Sequence, residues 1–268
     1  MRRFYAAWHV MLSLGWCLFW ALPVQSYDRA PLDLPPLMLW AWERPEDLSY
    51  INPRHVGVAY LAQTITLSGN DSLIRRRTQP LQLPSGTKVE AVTRIEIDSH
   101  KQPAYTEQQR QVIVDSILKL TRMHKVNAVQ IDFDARENER QFYADILKQL
   151  RPQLPDRVGL SITALVSWCL YDQWLASLPV DEAVPMMFRM GRDHGKVLVH
   201  FRNRRGYAHS ICNQSLGISL DEPQVNAVMK QMVARQPAPP RVYVFSPTRW
   251  TKEAAARAVQ FEDTKPGG

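Results

Sequence analysis

The chain has 268 residues, of which 45% are hydrophobic and 22% are charged, and its formal net charge is +7. This composition excludes a disordered or collagen-like chain and leaves room for one or two domains with a sizeable core. Basic clusters occur at Arg75–Arg77 and Arg202–Arg205, and such runs are usually solvated loops, although they can attract an acidic polymer. They come without a nucleic-acid-binding motif, so we expect no nucleic-acid partner.

The first 26 residues have the pattern of a secretory signal peptide. Arg2 and Arg3 precede an apolar run from Trp8 to Leu22, and Val24 and Ser26 follow where small residues mark a cleavage site. The apolar run of about 15 residues is short for a transmembrane span. We therefore expect a cleaved, soluble chain in the periplasm or secreted, and retention of the leader as a membrane anchor is the alternative.

Strand-like and helix-like segments alternate from Leu37 onward. Runs rich in β-forming residues predict eight strands. They are Leu37 to Glu43, His55 to Leu61, Val89 to Asp98, Ala128 to Asp134, Val158 to Val166, Ala183 to Met190, Ser215 to Leu220 and Arg241 to Ser246. Amphipathic stretches between them predict helices at Thr106 to Met123, Glu137 to Leu150 and Pro223 to Arg235.

This alternation predicts a parallel sheet with right-handed crossovers. Eight strands in about 240 residues fit a closed (β/α)8 TIM-type barrel. An open doubly wound sheet is the alternative, but no glycine-rich phosphate loop follows the first strand. We therefore expect an α/β protein with a single barrel domain over residues 27–268. We expect a long loop at Ala62 to Pro84 and a disordered tail at Glu262 to Gly268.

The fourth predicted strand carries acids on one face. Its even positions are Gln130, Asp132 and Asp134, while its odd positions are apolar. In a barrel such a polar face points inward and rises toward the C-terminal mouth, where barrel enzymes place their chemistry. Residues two apart on a strand lie about 6.5 Å apart, and like charges this close raise the pKa of one carboxyl. A carboxyl that keeps its proton near neutral pH is suited to general acid catalysis.

A structural role for Asp134 is the alternative. Glu137 follows three residues later, which is the spacing of a helix N-cap with a capping box. A cap would not explain Asp132 inside the barrel, nor Gln130 below it.

These residues resemble a motif of the family 18 glycoside hydrolases, the chitinases and their relatives. That family carries D-x-x-D-x-D-x-E on strand four of a (β/α)8 barrel, and Asn127-x-x-Gln130-x-Asp132-x-Asp134 is similar to it, with amides at two acid positions and Asp for Glu. Leu160 to Ala164 is similar to the family's fifth strand. Met187-Phe188-Arg189 falls where the sixth strand has Met-x-Tyr-Asp.

The wider pattern resembles a group of uncharacterised bacterial exported proteins whose barrel is related to those hydrolases. It extends from Leu37 to Trp250 and includes L-W-A-W around Trp40 and S-L-D-E-P from Ser219 to Pro223. Asp221 and Glu222 of that last motif precede Pro223 at a predicted helix start, so we expect them to be helix caps.

The family 18 resemblance implies a polysaccharide or amino-sugar partner and no cofactor. It implies that Asp134 protonates the glycosidic oxygen and that Asp132 orients the substrate's acetamido group, whose oxygen is the nucleophile. Phe188 lacks the hydroxyl of the family's Tyr, and Arg189 reverses the charge of its Asp. These departures leave open a catalytically inactive barrel that binds a glycan or a protein partner, or a structural component of the cell envelope.

Further candidates line the expected mouth of the barrel. Tryptophan rings at strand ends are suited to stacking on sugars. Arg94 and Glu96 alternate on the third strand and are expected to point inward, where Arg94 would neutralise the strand-four acids or bind an acidic sugar. The candidate substrate-binding residues are Gln130, Asn127, Arg189, Phe188, Trp168, Trp42, Trp250, Arg94 and Glu96. No metal-binding motif is visible, and a magnesium or calcium ion held by Asp132, Asp134 and a third acid such as Glu96 is an alternative.

Two cysteines, Cys169 and Cys212, remain after removal of the leader. Neither has the spacing of a zinc site. A disulfide is possible in an oxidising compartment. We expect separate thiols, because Cys169 should follow one strand and Cys212 should precede the end of another, at different levels of the barrel.

Overall fold

A computed structural model of the chain describes residues 32–123, 125–203, 206–234 and 240–261. The predicted signal peptide and the predicted tail, Glu262 to Gly268, lie outside these ranges. No helix in the described ranges is long and apolar enough to cross a membrane.

Strands and helices of the described residues are numbered in chain order. The strands are β1 Leu37–Ala41, β2 Glu46–Asp47, β3 Val56–Ser68, β4 Asp71–Arg76, β5 Leu81–Gln82, β6 Val89–Ile97, β7 Ala128–Asp132, β8 Gly159–Leu165, β9 Glu182–Met186, β10 Ser215–Ser219 and β11 Arg241–Phe245. The helices are α1 Glu107–Met123, α2 Arg140–Leu150, α3 Val166–Tyr171, α4 His194–Arg202, α5 Pro223–Val233 and α6 Lys252–Val259. Short 3-10 turns connect several of these elements.

Eight parallel strands close into a barrel. Their order around the barrel is β1, β3, β6, β7, β8, β9, β10 and β11, and β11 pairs with β1 to complete the ring. Each strand from β6 onward is followed by one of the helices α1 to α6, which lie outside the ring. The predicted (β/α)8 TIM-type barrel is therefore confirmed.

The segment predicted as a long loop is partly a hairpin, so that prediction was wrong. β3 continues past its predicted end at Leu61 to Ser68, turns at Gly69 with a φ of 54°, and pairs antiparallel with β4. Residues 64–68 alternate polar and apolar side chains, which is a strand pattern, and a two-residue turn containing glycine suits a hairpin. β5 within the same segment forms a small parallel sheet with β2.

The apolar face of β7 packs outward against the helix layer, as its period of two predicts. Val129, Ile131 and Phe133 are almost fully buried. The hydroxyl of Tyr143 on α2 donates to the Ile131 carbonyl over 3.1 Å, and its ring lies 5.3 Å from that of Phe133. This packing fixes the rotation of β7 and turns its polar residues into the barrel.

Cys169 and Cys212 form a disulfide, with Cα atoms 5.9 Å apart, so the prediction of separate thiols was wrong. Cys169 lies in α3 on the outer layer, and the turn containing Cys212 returns to the same layer before β10 begins. The Ala208 amide donates to the Cys169 carbonyl over 3.0 Å, which holds the two crossover segments together. The number of residues between a cysteine and the nearest strand end therefore does not predict its height along the barrel axis.

Candidate functional site

A cavity of about 430 Å³ opens at the C-terminal end of the barrel strands. Its walls combine aromatic rings with a few polar side chains, which is typical of small-molecule sites. The residues on which its chemistry depends are Trp40, Trp42, Phe188 and Phe245 among the aromatics, and Arg94, Gln130, Asp132, Asp134, Thr163, Arg189 and Asp193 among the polar groups.

Asp132 is the buried acid of this cavity, with 6% of its surface exposed. The strand register places it beside Arg94 of β6, and Arg94 Nη1 lies 3.4 Å from Asp132 Oδ2. From β8, the Thr163 hydroxyl donates to Asp132 Oδ1 over 2.7 Å. Burial raises the pKa of Asp132, and Arg94 and Thr163 oppose that rise because both stabilise the charged form.

Asp134 lies at the rim of the cavity, beyond the end of β7. Within the described part of the chain its side chain makes no hydrogen bond. Loss of solvent against the surrounding walls raises the pKa of Asp134, and the charge of Arg94 opposes this rise. Of the two acids, Asp134 therefore has fewer groups that stabilise its anion.

The structure does not support the N-cap interpretation of Asp134. The turn Glu137–Glu139 begins after Arg136, and the Arg136 amide donates to the Glu139 side chain over 2.7 Å. Asp134 precedes this capping box and takes no part in it. Its carboxyl is free to act in the cavity.

Gln130 connects the cavity to the barrel interior. It accepts a hydrogen bond from Trp40 Nε1 over 3.1 Å and donates to the Ser161 hydroxyl over 2.9 Å. Because it is fully buried and bonded on both sides, it holds the Trp40 ring in place beneath the acids.

Aromatic rings form one wall of the cavity. Phe188 and Phe245 stack with centroids 5.7 Å apart and an interplanar angle of 4°. Trp42 packs edge-on against Phe245, and the Arg94 guanidinium lies 5.6 Å from the centroid of the Trp42 ring. The Arg94 Nε also donates to Glu96 over 2.9 Å, so Glu96 fixes the arginine instead of lining the cavity. Rings held in this way offer a rigid apolar surface to a ligand.

Arg189 shapes the opposite rim. Its backbone has a φ of 56°, and its amide donates to Glu222 Oε1 over 2.9 Å. Its guanidinium pairs with Asp221 over 2.6 Å and with Glu222 over 3.1 Å. Glu222 occupies the N-cap position of α5, as the sequence predicts, but its side chain makes no capping hydrogen bond and, like that of Asp221, binds Arg189 instead. The turn at Arg189 also explains why β9 ends at Met186, before its predicted end at Met190.

Three predicted site residues lie away from the cavity. Asn127 precedes β7 at the opposite end of the barrel, where its side-chain oxygen accepts from the Val89 amide over 3.1 Å. Trp168 is buried in the outer layer, 5.0 Å from the Trp174 ring. Trp250 is buried, and its Nε1 donates to the Trp40 carbonyl over 2.8 Å. These side chains serve the fold, so their assignment to substrate binding is corrected.

Sequence reasoning missed Thr163, Phe245 and Asp193 as residues of the cavity. Thr163 shares the inward parity of Ser161 on β8, so the alternation that located Asp132 would have located it too. Phe245 ends β11, where a side chain reaches the mouth. Asp193 sits in a short 3-10 turn that carries no sequence signal.

A second polar layer fills the barrel below Gln130. Glu90 of β6 and Glu182 of β9 are both completely buried there. Glu182 accepts a hydrogen bond from the Tyr243 hydroxyl over 2.8 Å and pairs with Arg241. Burial, followed by the charge of Glu182, raises the pKa of Glu90 to about 8. Arg241 pairs with Glu182 and makes no ion pair with Glu90 among the described residues, so the protonated form is the favoured form of Glu90.

No group of three or more His, Cys, Asp or Glu side chains in the described ranges is arranged to hold a metal ion. The arrangement of Asp132, Asp134 and Glu96 considered from the sequence is therefore not assembled, since Glu96 is turned to Arg94.

Comparison with known proteins assigns this chain to no family. The chain matches no protein-family model and no curated protein. Its structure is similar to that of the Bacillus cereus spore cortex-lytic enzyme SleL, with 17% sequence identity and a TM-score of 0.44, over 68% of this chain and 50% of that enzyme. The chain thus spans about half the length of that protein.

Proposed function

We propose that this protein is an exported glycoside hydrolase-like barrel that acts on a polysaccharide or an amino-sugar polymer. The observation that carries the proposal is the pair Asp132 and Asp134, which lies in a partly apolar cavity at the catalytic end of a (β/α)8 barrel. The resemblance of this strand to that of the family 18 hydrolases supports the same reaction class.

The two acids are suited to different roles. Asp132 is held by Thr163 and Arg94, and both favour its charged form. Asp134 has no such hydrogen bonds among the described residues, and its pKa is raised by desolvation. In the proposed reaction the Asp134 carboxyl donates its proton to the leaving glycosidic oxygen while the substrate's own acetamido oxygen attacks the anomeric carbon and the glycosidic bond breaks. Water then opens this intermediate and returns a proton to Asp134, and the Asp132 carboxylate positions the sugar throughout.

The charges of the cavity favour a neutral or cationic sugar over an acidic one. Arg94 is paired with Glu96 and Asp132, and Arg189 is paired with two acids at the rim. In the described part of the chain, Asp134 and Asp193 are the carboxylates of the cavity without an ion-pair partner. An acidic sugar would have to compete for guanidinium groups that are already engaged, whereas a neutral sugar needs no such partner and an amino sugar can pair with Asp193 and pack on the aromatic faces.

Export is part of the proposal. The charged start, the apolar run and the small residues of the first 26 residues support it. The Cys169–Cys212 disulfide supports it independently, because such bonds persist in oxidising compartments. N-terminal sequencing of exported protein should find a mature end near Tyr27, and an intact leader embedded in the membrane would contradict this.

Turnover on a panel of neutral, amino-sugar and acidic polysaccharides, measured beside direct binding, tests the proposal. We expect cleavage of a neutral or amino-sugar polymer and its loss in Asp134→Asn, with binding retained. Asp156→Asn, an exposed acid before β8 at the far end of the barrel, is the matched control and should keep activity. Glycan binding without turnover would instead support the second candidate function, a catalytically inactive barrel that binds a glycan. The observation that favours this alternative is Phe188, which lacks the hydroxyl of the family's Tyr.

A further inference from the structure

The hairpin strand β4 has an open edge. Among the described residues it is the last strand of its sheet and pairs only with β3. On the other side, the backbone hydrogen bonds of the described residues do not reach Ser72 or Ile74. An open edge of this kind is a template for another strand.

The hairpin fixes which backbone groups face the open edge. Ser68 and Asp71 flank its two-residue turn, and the Arg77 amide donates to the Ala62 carbonyl over 2.9 Å. Hydrogen-bonded pairs alternate with non-bonded pairs along an antiparallel ladder. Odd-numbered residues of β4 therefore direct their backbone groups to β3. The residues whose N–H and C=O groups point outward are Ser72, Ile74 and Arg76.

The side chains of β4 divide by the same alternation. Asp71, Leu73 and Arg75 share the exposed face. Leu73 is 70% exposed, so a large apolar side chain stands in solvent on an open sheet edge, where it favours pairing with another strand. An acid and a base lie at equal distances on either side of this leucine, so the exposed face is complementary to itself when it is read in the opposite direction.

We propose that a second copy of this chain covers the edge, with the two β4 strands paired antiparallel about a two-fold axis at Leu73. Leu73 then faces its own counterpart, and Asp71 of each copy faces Arg75 of the other. The outward groups of Ser72 and Ile74 lie opposite each other in this register and form backbone hydrogen bonds on both sides of the axis. The interface is isologous, as expected for a symmetric dimer.

Charge selects this register over the two nearest alternatives. An axis at Ser72 would place Asp71 opposite Leu73 and Arg75 opposite Gly69, so no acid would face a base. An axis at Ile74 would place Leu73 opposite Arg75 and Asp71 opposite Arg77. The Arg77 guanidinium is partly buried against backbone carbonyls, including that of Arg44 over 2.6 Å, and has little capacity for a further acid.

Among the described residues, Asp71 and Arg75 are engaged only in solvent-exposed pairs, with Lys101 over 3.7 Å and with Glu43 over 2.8 Å, and such exposed pairs are weak enough to exchange for pairs across the axis. Opposite charges that face each other across paired strands stabilise the Leu73 register. The proposal does not depend on the reaction proposed for the cavity.

Charge reversal tests the pairing in the full chain. Asp71→Arg leaves two arginines facing each other in both symmetric positions, and Arg75→Asp leaves two acids facing each other. Because two pairs change sign, each variant should raise the dimer dissociation constant on the order of tenfold to a few hundredfold. An equimolar mixture of the two variants should recover association, since every facing pair is again opposite in charge. Sedimentation equilibrium measures all three samples and wild type.

Controls separate loss of pairing from loss of folding. Asp156→Arg, at the far end of the barrel, should associate like wild type, and circular dichroism should be unchanged in every variant. Leu73→Lys alters only an exposed side chain and places two ammonium groups at the axis, so it should also dissociate the dimer. A monomeric wild type would overturn the proposal, and so would charge-reversed variants that associate as tightly as wild type or fail to recover when mixed.

Discussion

Glu90 should make the stability of this barrel depend on pH. Its carboxyl is completely buried, one of its oxygens has no hydrogen-bond partner among the described residues, and its pKa is raised to about 8 from the ordinary value of 4.5. The groups that face it are Glu182, Tyr243, Arg241, Ser161 and Gln130. Burial is the main cause of the rise, and the charge of Glu182 adds to it.

The sign follows from proton binding. Between pH 4.5 and about 8 the folded chain keeps the Glu90 proton and the unfolded chain loses it. The stabilisation is therefore fully present below pH 4.5 and is lost as pH rises toward about 8. One proton corresponds to about 1.4 kcal/mol per pH unit at the steepest part of this window, or roughly 2–3 kcal/mol over two units.

Glu90→Gln removes this dependence, because the amide keeps the shape of the carboxyl and does not titrate. Urea unfolding of wild type and variant across pH 5 to 8, roughly the titration window, gives the difference in free energy of unfolding, in which other titrating groups largely cancel. We expect the variant to gain stability relative to wild type as pH rises. Glu137→Gln, an exposed control, should show no such trend. A pH-independent difference, or a slope of the opposite sign, would refute the reasoning.

The other predictions concern the cavity and the outer layer. Asp134→Asn should lower turnover about a hundredfold to ten-thousandfold in steady-state kinetics, and full activity of this variant would refute the acid role. Asp134→Ala should change the free energy of unfolding, measured in urea, by no more than about 0.5 kcal/mol, because Asp134 caps no helix. Thr163→Val should cost about 1–3 kcal/mol of unfolding free energy by leaving the buried Asp132 short of a donor, and unchanged stability would contradict the bond. Replacing Cys169 and Cys212 by Ser should cost about 2–4 kcal/mol under oxidising conditions, and adding reductant should destabilise wild type but not the double variant.

The barrel was predictable because its signal is local. The alternation of polar and apolar residues on β7 gave both the inward face and the packing of Ile131 and Phe133 against α2. The same rule applied to residues 64–68 predicts that β3 continues into a hairpin. The basic residues 75–77 in the same segment favour a solvated loop, and this composition signal opposes the strand pattern.

What lies beyond strand ends was not predictable in the same way. Trp168 and Trp250 both follow strands, yet one enters the outer layer and the other folds back onto the Trp40 carbonyl. The Cys169–Cys212 bond likewise depends on the return path of two crossover segments. Chain distance from a strand does not fix the direction in which a loop turns, so these placements need the tertiary structure.

The difference between the two acids is itself a tertiary property. Asp132 and Asp134 stand on one strand with the same parity, and from that strand alone they are equivalent carboxyls. The neighbouring strands separate them, because Arg94 of β6 and Thr163 of β8 both reach Asp132. Asp134 lies one step above both contacts, where desolvation is the main influence on its pKa. The residues that flank β7 therefore stabilise the anion of Asp132 more than that of Asp134, and this difference is the reason for which we propose Asp134 as the acid.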